Sequence, residues 1–78
     1  MRSPYHPPIK RSVTIAGHET SISLEPVFWM ALNDAAVAEQ LPLNALIARI
    51  DAERIAATKV PNLASALRVW VLSRMAEG

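Results

Sequence analysis

The sequence predicts a small, mainly helical α+β domain, with a short β-structure followed by three helices. Three observations predict it. Residues 20–24, Thr20–Ser21–Ile22–Ser23–Leu24, alternate between polar and apolar, the period of a strand with one covered face. Glu25 and Pro26, which suit a helix start, then open a run with apolar residues at helical spacing. Two prolines, Pro42 and Pro61, divide the remaining apolar-rich chain into further helical pieces.

The chain has 78 residues, enough for one small domain. It contains no cysteine, so neither a disulfide framework nor a cysteine metal site staples it. Apolar residues make up 51% of the chain, and oligomerisation is then the expected route to a sufficient core. A strand, a helix, a break and a helix within residues 20–50 are too little to bury their own apolar face. The net charge is +1, and a dimer reaches only about +2, which is weak steering for a polyanion. No apolar run has the eighteen or so residues of a membrane span, and MRSPYHPPIKRS lacks the apolar core of a signal peptide. The expected protein is cytoplasmic and makes no membrane contact.

Residues 1–10 carry Pro4, Pro7 and Pro8 and read as a flexible arm, made basic by Arg2, Lys10 and the adjoining Arg11. Residues 11–78 form the single domain. Residues 11–24 read as a hairpin with Gly17–His18 at the tip in a type II′ turn, which sets Ile15 opposite Thr20 and Val13 opposite Ile22. Val13, Ile15, Ile22 and Leu24 then share one face, and Ser12, Thr14, Glu19, Ser21 and Ser23 the other. The alternative is that the first strand stays unpaired.

Helix spacing over residues 26–39 collects Phe28, Trp29, Leu32, Ala35 and Ala36 into one stripe and leaves Val27, Met30 and Val37 on a second. Gln40–Leu41–Pro42 breaks the helix, because the residue before a proline is pushed out of the helical region. A second helix runs from about Pro42 to Arg54 with Leu43, Leu46, Ile47 and Ile50 as its apolar content. After a connector over 55–61, Asn62 is placed to cap a third helix, Leu63 to about Ala76. Leu63, Leu67, Trp70 and Val71 share its stripe, while Val69, Leu72 and Met75 stand elsewhere and predict contact with a neighbouring chain.

The stretch Ile22–Ser23–Leu24–Glu25–Pro26, with Trp29, Leu32, Leu41, Asn44, Ala45, Leu46 and Ile47, resembles the ribbon-helix-helix family of bacterial DNA-binding proteins, of the Arc, MetJ and CopG type. The resemblance covers about residues 19–53. The strings KRSVTIAGHETSISLEP and NLASALRVWVLSRM look like a bacterial subgroup with an extra N-terminal strand and an extra C-terminal helix. It implies an intertwined homodimer, or a higher homo-oligomer, in which residues 20–24 of two chains pair as an antiparallel ribbon. Ile22, Leu24, Trp29, Leu32, Ile47, Ile50 and Trp70 are the expected interface between chains. The ribbon would enter the major groove of double-stranded DNA. Lys10, Arg11, Thr14, Glu19, Ser21 and Ser23 are its candidate DNA contacts, with Leu43 and Asn44 as a backbone phosphate clamp at the start of the second helix. Pro42, placed in that first turn, would remove one N–H from the clamp. A hairpin in each chain would make the dimer's sheet four-stranded, about 14 Å across its outer strands, too wide to lie flat in a groove about 12 Å wide.

Two functions follow. One is a DNA-binding transcriptional regulator. The other is a protein-interaction or oligomerisation module on the same fold, motivated by the spare apolar strips and the neutral charge. Catalysis is not expected. The chain has no paired carboxylates in an apolar setting and no glycine-rich phosphate loop, and His6 and His18 lack a second ligand at useful spacing. No cofactor or metal is implied. Trp29 and Trp70 are ordinary core candidates, and Arg49, Arg54, Arg68 and Arg74 read as solvated or ion-paired helix surface.

Overall fold

The alternation before Glu25 does build a two-faced sheet. In the computed structural model, which describes residues 3–77, the order is β1 (Ile9–Ile15), β2 (His18–Leu24), α1 (Pro26–Ala38), α2 (Leu43–Ile55) and α3 (Leu63–Glu77). β1 and β2 form a two-stranded antiparallel sheet within one chain. Val13, Ile15, Ile22 and Leu24 are buried beneath it.

The hairpin register differs by two residues from the expected one. Ile15 lies opposite His18, Val13 opposite Thr20 and Arg11 opposite Ile22. The turn centres on Ala16 and Gly17, with φ of 50° and 82°. Two successive positive φ values are what a type I′ turn requires, not the type II′ turn expected at Gly17–His18. Because the strand period is two, a two-residue displacement leaves every side chain on its expected face. β1 also starts at Ile9, so Ile9 and Lys10 belong to the sheet rather than to the arm. Arg2 lies outside the described residues.

Each helix boundary has a local cause. Pro26 occupies the first turn of α1, where its missing N–H costs nothing. At the other end Gln40 takes φ of 57°. The Leu41 N–H donates to the Ala36 carbonyl (2.9 Å) and the Gln40 N–H to that of Val37 (3.1 Å). This is the Schellman pattern, with glutamine where glycine is usual. The Asn62 side-chain Oδ1 accepts from the Ser65 N–H at 2.8 Å and caps α3, as its sequence position suggested.

β1 packs on α2 and β2 on α3, while α1 packs against both α2 and α3. Leu24, Leu32, Leu46, Ile47 and Leu67 are fully buried where these elements meet, and Trp29 is almost so. Its indole Nε1–H donates to the Ile9 carbonyl at 2.9 Å, which satisfies the buried ring's polar atom and ties the start of β1 to α1.

Ile22, Leu24, Trp29, Leu32, Ile47 and Ile50 are buried within the single chain. The strand-helix-helix segment does lack core, but β1 and α3 of the same chain supply it. Trp70 alone of that group keeps partial exposure.

Ala16 and Gln40 both hold a backbone conformation that L side chains resist, at a cost of roughly 1–2 kcal/mol each. Ala16→Asn, which suits the first position of a type I′ turn, and Gln40→Gly are each expected to raise stability by about 1 kcal/mol. Urea unfolding with an unchanged slope checks this.

Candidate nucleic-acid interface

The face of the hairpin turned away from the core is built from three cross-strand pairs: Lys10 with Ser23, Ser12 with Ser21, and Thr14 with Glu19. All six residues are exposed. Directly opposite side chains on such a face stand about 4.5–5.5 Å apart at Cβ. The result is a narrow polar strip with an ammonium at its open end, a carboxylate beside the turn, and hydroxyls that can donate or accept between them. Lys10, Thr14, Glu19, Ser21 and Ser23 are thus brought together. Ser12, absent from the expected contacts, completes the strip, and its place in the period-two pattern was the signal for it.

Arg11 alternates to the opposite side but stays exposed at the sheet margin. Its guanidinium carbon lies 5.3 Å from the centroid of the Trp29 ring, within cation–π range. Leu43 and Asn44 open α2, apart from the strip. Pro42 is the N-cap of α2 rather than a residue of its first turn, so its missing N–H takes nothing from the first helical positions. Its carbonyl accepts from the Leu46 N–H at 3.1 Å, and no side chain caps this end.

Positive charge is distributed unevenly. The helix arginines are occupied by carboxylates: Arg49 and Arg74 both reach Glu39 (3.3 and 3.2 Å), Arg68 reaches Glu25 (2.9 Å), and Arg54 reaches Asp51 (2.8 Å). Arg54 also donates to the Pro61 carbonyl at 3.1 Å, fastening the connector to α2. Arg68 and Arg74 stack over Phe28 and Trp70 at 5.7 and 5.4 Å. Lys10, Arg11 and Lys59 have no carboxylate partner among the described residues. Two of those three cations stand at the open end of the hairpin.

Glu25 and Glu39 bracket α1 and bind α3 to it. Glu25 is held below its ordinary carboxyl range by a hydrogen bond from its own backbone N–H and then by Arg68. Glu39 is lowered by hydrogen bonds from Arg74 and then Arg49. These pairs are partly exposed, so each contributes modestly.

A family model described as a ribbon-helix-helix domain matches residues 8–75. The chain belongs to the ribbon-helix-helix family. Comparison with curated proteins and with solved structures gives no match. Ribbon-helix-helix domains are in general parts of DNA-binding regulators, they typically dimerise, and the fold is not an enzymatic one. The match takes in both strands and most of α3, so the extra strand and the extra helix lie inside the ribbon-helix-helix match rather than outside it. Among the described residues no helix is long and apolar enough to cross a membrane, and no three His, Cys, Asp or Glu side chains gather as metal ligands.

A carboxyl with a lowered folded pKa stabilises the fold above its ordinary value of 4.5, and that stabilisation is lost as pH falls through the folded pKa. Stability is therefore expected to decline as the pH drops below about 4.5. The Glu25→Gln, Glu39→Gln double variant should show a flatter profile over the same range. Urea midpoints taken from about pH 6 down to about pH 3 provide the check.

Proposed function

We propose that this chain is a DNA-binding transcriptional regulator whose hairpin turns its outer face toward the major groove. One observation carries the proposal: a member of the ribbon-helix-helix family presents an open, wholly polar face on a ribbon only two strands wide. Two strands at 4.7–4.9 Å spacing fit a groove about 12 Å wide. The unpaired cations Lys10 and Arg11 lie at one end of the ribbon, where they are suited to flanking phosphates. Ser12, Thr14, Ser21 and Ser23 offer hydroxyls to base edges, and Glu19 is suited to accept from a cytosine amino group. Leu43 and Asn44 offer the free backbone N–H groups of the uncapped α2 start to a phosphate.

With two cations near the backbone, the salt dependence is shallow: log K against log salt concentration should slope by about −2 per chain. Mobility shift on pooled genomic duplexes is expected to show binding at low salt. Arg11→Ala should weaken all sequences alike and reduce the slope by about 1. Ser21→Ala and Ser23→Ala should blunt preference between sequences with little change in slope, and Glu19→Ala should tighten non-preferred binding. No retention of any duplex at low salt would exclude the proposal.

A second reading is a protein-interaction or oligomerisation module. It is favoured by the apolar side chains that the core leaves uncovered: Met30 (66% exposed) and Val37 (77%) on α1, and Leu72 (60%) and Met75 (68%) on α3. An open groove lined by Ala31, Asp34, Ala35, Trp70, Val71, Arg74 and Met75 lies between these helices. On this reading Met30→Glu and Leu72→Glu abolish self-association or partner capture in light scattering while leaving thermal unfolding nearly unchanged. Under the DNA proposal the same variants retain duplex binding.

A further inference from the structure

We infer that residues 3–8 are a docking segment, and that the groove between α1 and α3 of a second copy of this chain receives them. The inference rests on the self-association reading of that groove and names the segment that fills it; it does not depend on DNA binding. Neither side of the contact is a strand edge, so it is compatible with pairing of ribbons between copies.

The segment Ser3–Pro4–Tyr5–His6–Pro7–Pro8 precedes β1 and lies in neither helix nor strand, and all six residues are exposed. Its prolines fix φ at Pro4, Pro7 and Pro8 and hold the residues before them extended. The Ser3 Oγ accepts from the Tyr5 N–H at 3.1 Å. The bond from Trp29 Nε1–H to the Ile9 carbonyl fixes the root of the segment. A segment restrained in this way has little freedom left to lose on binding. Tyr5 is 89% exposed, a large ring that its own chain leaves in solvent. An extended proline-type helix has three residues per turn, so Tyr5 and Pro8 share one edge, about 9 Å apart.

The groove matches that edge in length and chemistry. Its volume is about 280 Å³, near the lower end of small-ligand clefts, roughly 300 Å³. Ala31 and Ala35 line it on α1 with small side chains, and the partly exposed Trp70 and exposed Met75 line it on α3. Trp70 to Met75 covers about 7.5 Å along α3, comparable with the Tyr5-to-Pro8 edge. Aromatic-lined grooves are the surfaces in which extended proline-rich segments dock. Pro8 then lies on the Trp70 ring, and the Tyr5 ring lies beside the Met75 thioether. Arg74 at the rim is neutralised by Glu39. Asp34 has no cationic partner among the described residues, so it is the groove's uncompensated charge. The arriving segment brings donors to it, the Tyr5 hydroxyl and the His6 ring N–H, and Lys10 follows them in the chain. Two copies that exchange segments use the same surfaces twice, which closes the contact as a symmetric pair.

Cross-linking and self-association test this. The natural chain has no cysteine, so Tyr5→Cys and Met75→Cys variants carrying tags of different mass report the contact directly. Mixed and oxidised, they are expected to give a mixed covalent dimer well in excess of either same-variant dimer. In light scattering over a concentration series, Tyr5→Ala and Asp34→Lys should each weaken self-association at least about ten-fold, while Tyr5→Phe retains most of it. Urea midpoints should not change, because both positions are exposed. A peptide of residues 3–8 added to the natural chain should dissociate it and shift the emission of Trp70, since Trp29 is almost fully buried. Absence of the mixed covalent dimer, or a Tyr5→Cys, Met75→Cys double variant that closes within one chain in preference to linking two, overturns the inference. Self-association that survives Tyr5→Ala but is lost in Met30→Glu also overturns it and leaves the self-association reading standing. A chain that stays monomeric at every concentration overturns both.

Discussion

The structure depends on the pairing of Ile9–Ile15 with His18–Leu24. Before that pairing, residues 20–24 are one amphipathic strand in front of two helices, with an apolar face and nothing to complete it. The hairpin adds Val13 and Ile15 to Ile22 and Leu24, giving a sheet whose inner face is continuous enough to lie across α2 and α3. Each such side chain, once fully buried, contributes about 1.5–3 kcal/mol. The same pairing creates the outer face. Period-two geometry requires that what is not turned to the core is turned to solvent, so core and candidate interface are two consequences of one register.

α1 acts as the frame that holds these layers. Trp29 reaches from its first turn to the backbone of Ile9, fastening β1. Glu25 before its first turn and Glu39 just after its last bind Arg68 and Arg74 of α3, and Glu39 also binds Arg49 of α2. The helix-surface charges are largely spent on this internal bracing. That explains how a chain with a net charge of only +1 still offers a locally basic end to its hairpin: the arginines that might have spread positive potential are neutralised, and Lys10 and Arg11 are not. The potential is local rather than global, which suits short-range placement on phosphates better than long-range steering.

Much of this was legible residue by residue. The faces of both strands, the buried stripe of α1, the break at Gln40–Leu41–Pro42 and the Asn62 cap all follow from local spacing and local hydrogen-bonding chemistry. The turn type was harder to read, because Ala16 gives no sign of accepting positive φ; only the strand pairing forces it there. Of the candidate site, Lys10, Thr14, Glu19, Ser21 and Ser23 do share the outer face, and Ser12 joins them. Arg11 falls on the other side because parity decides it, whatever its charge. The partners of the helix arginines lie up to 43 positions away in sequence, as with Arg68 and Glu25, and no periodicity identifies such a pair.

By itself, then, the sequence determined the elements, their caps and which side of each is apolar, because these depend on spacing within a few residues. It also carried enough of the ribbon-helix-helix pattern to mark the family. Only the tertiary structure decided where the missing core comes from. Composition requires that the apolar face of residues 20–50 be covered, but it does not distinguish a second chain from the rest of the same one. Within the chain, long-range packing sets β1 beside β2, α2 against β1 and α3 against β2. It leaves Ile22, Leu24, Trp29 and Leu32 inside one chain and exposes apolar positions of α1 and α3 instead.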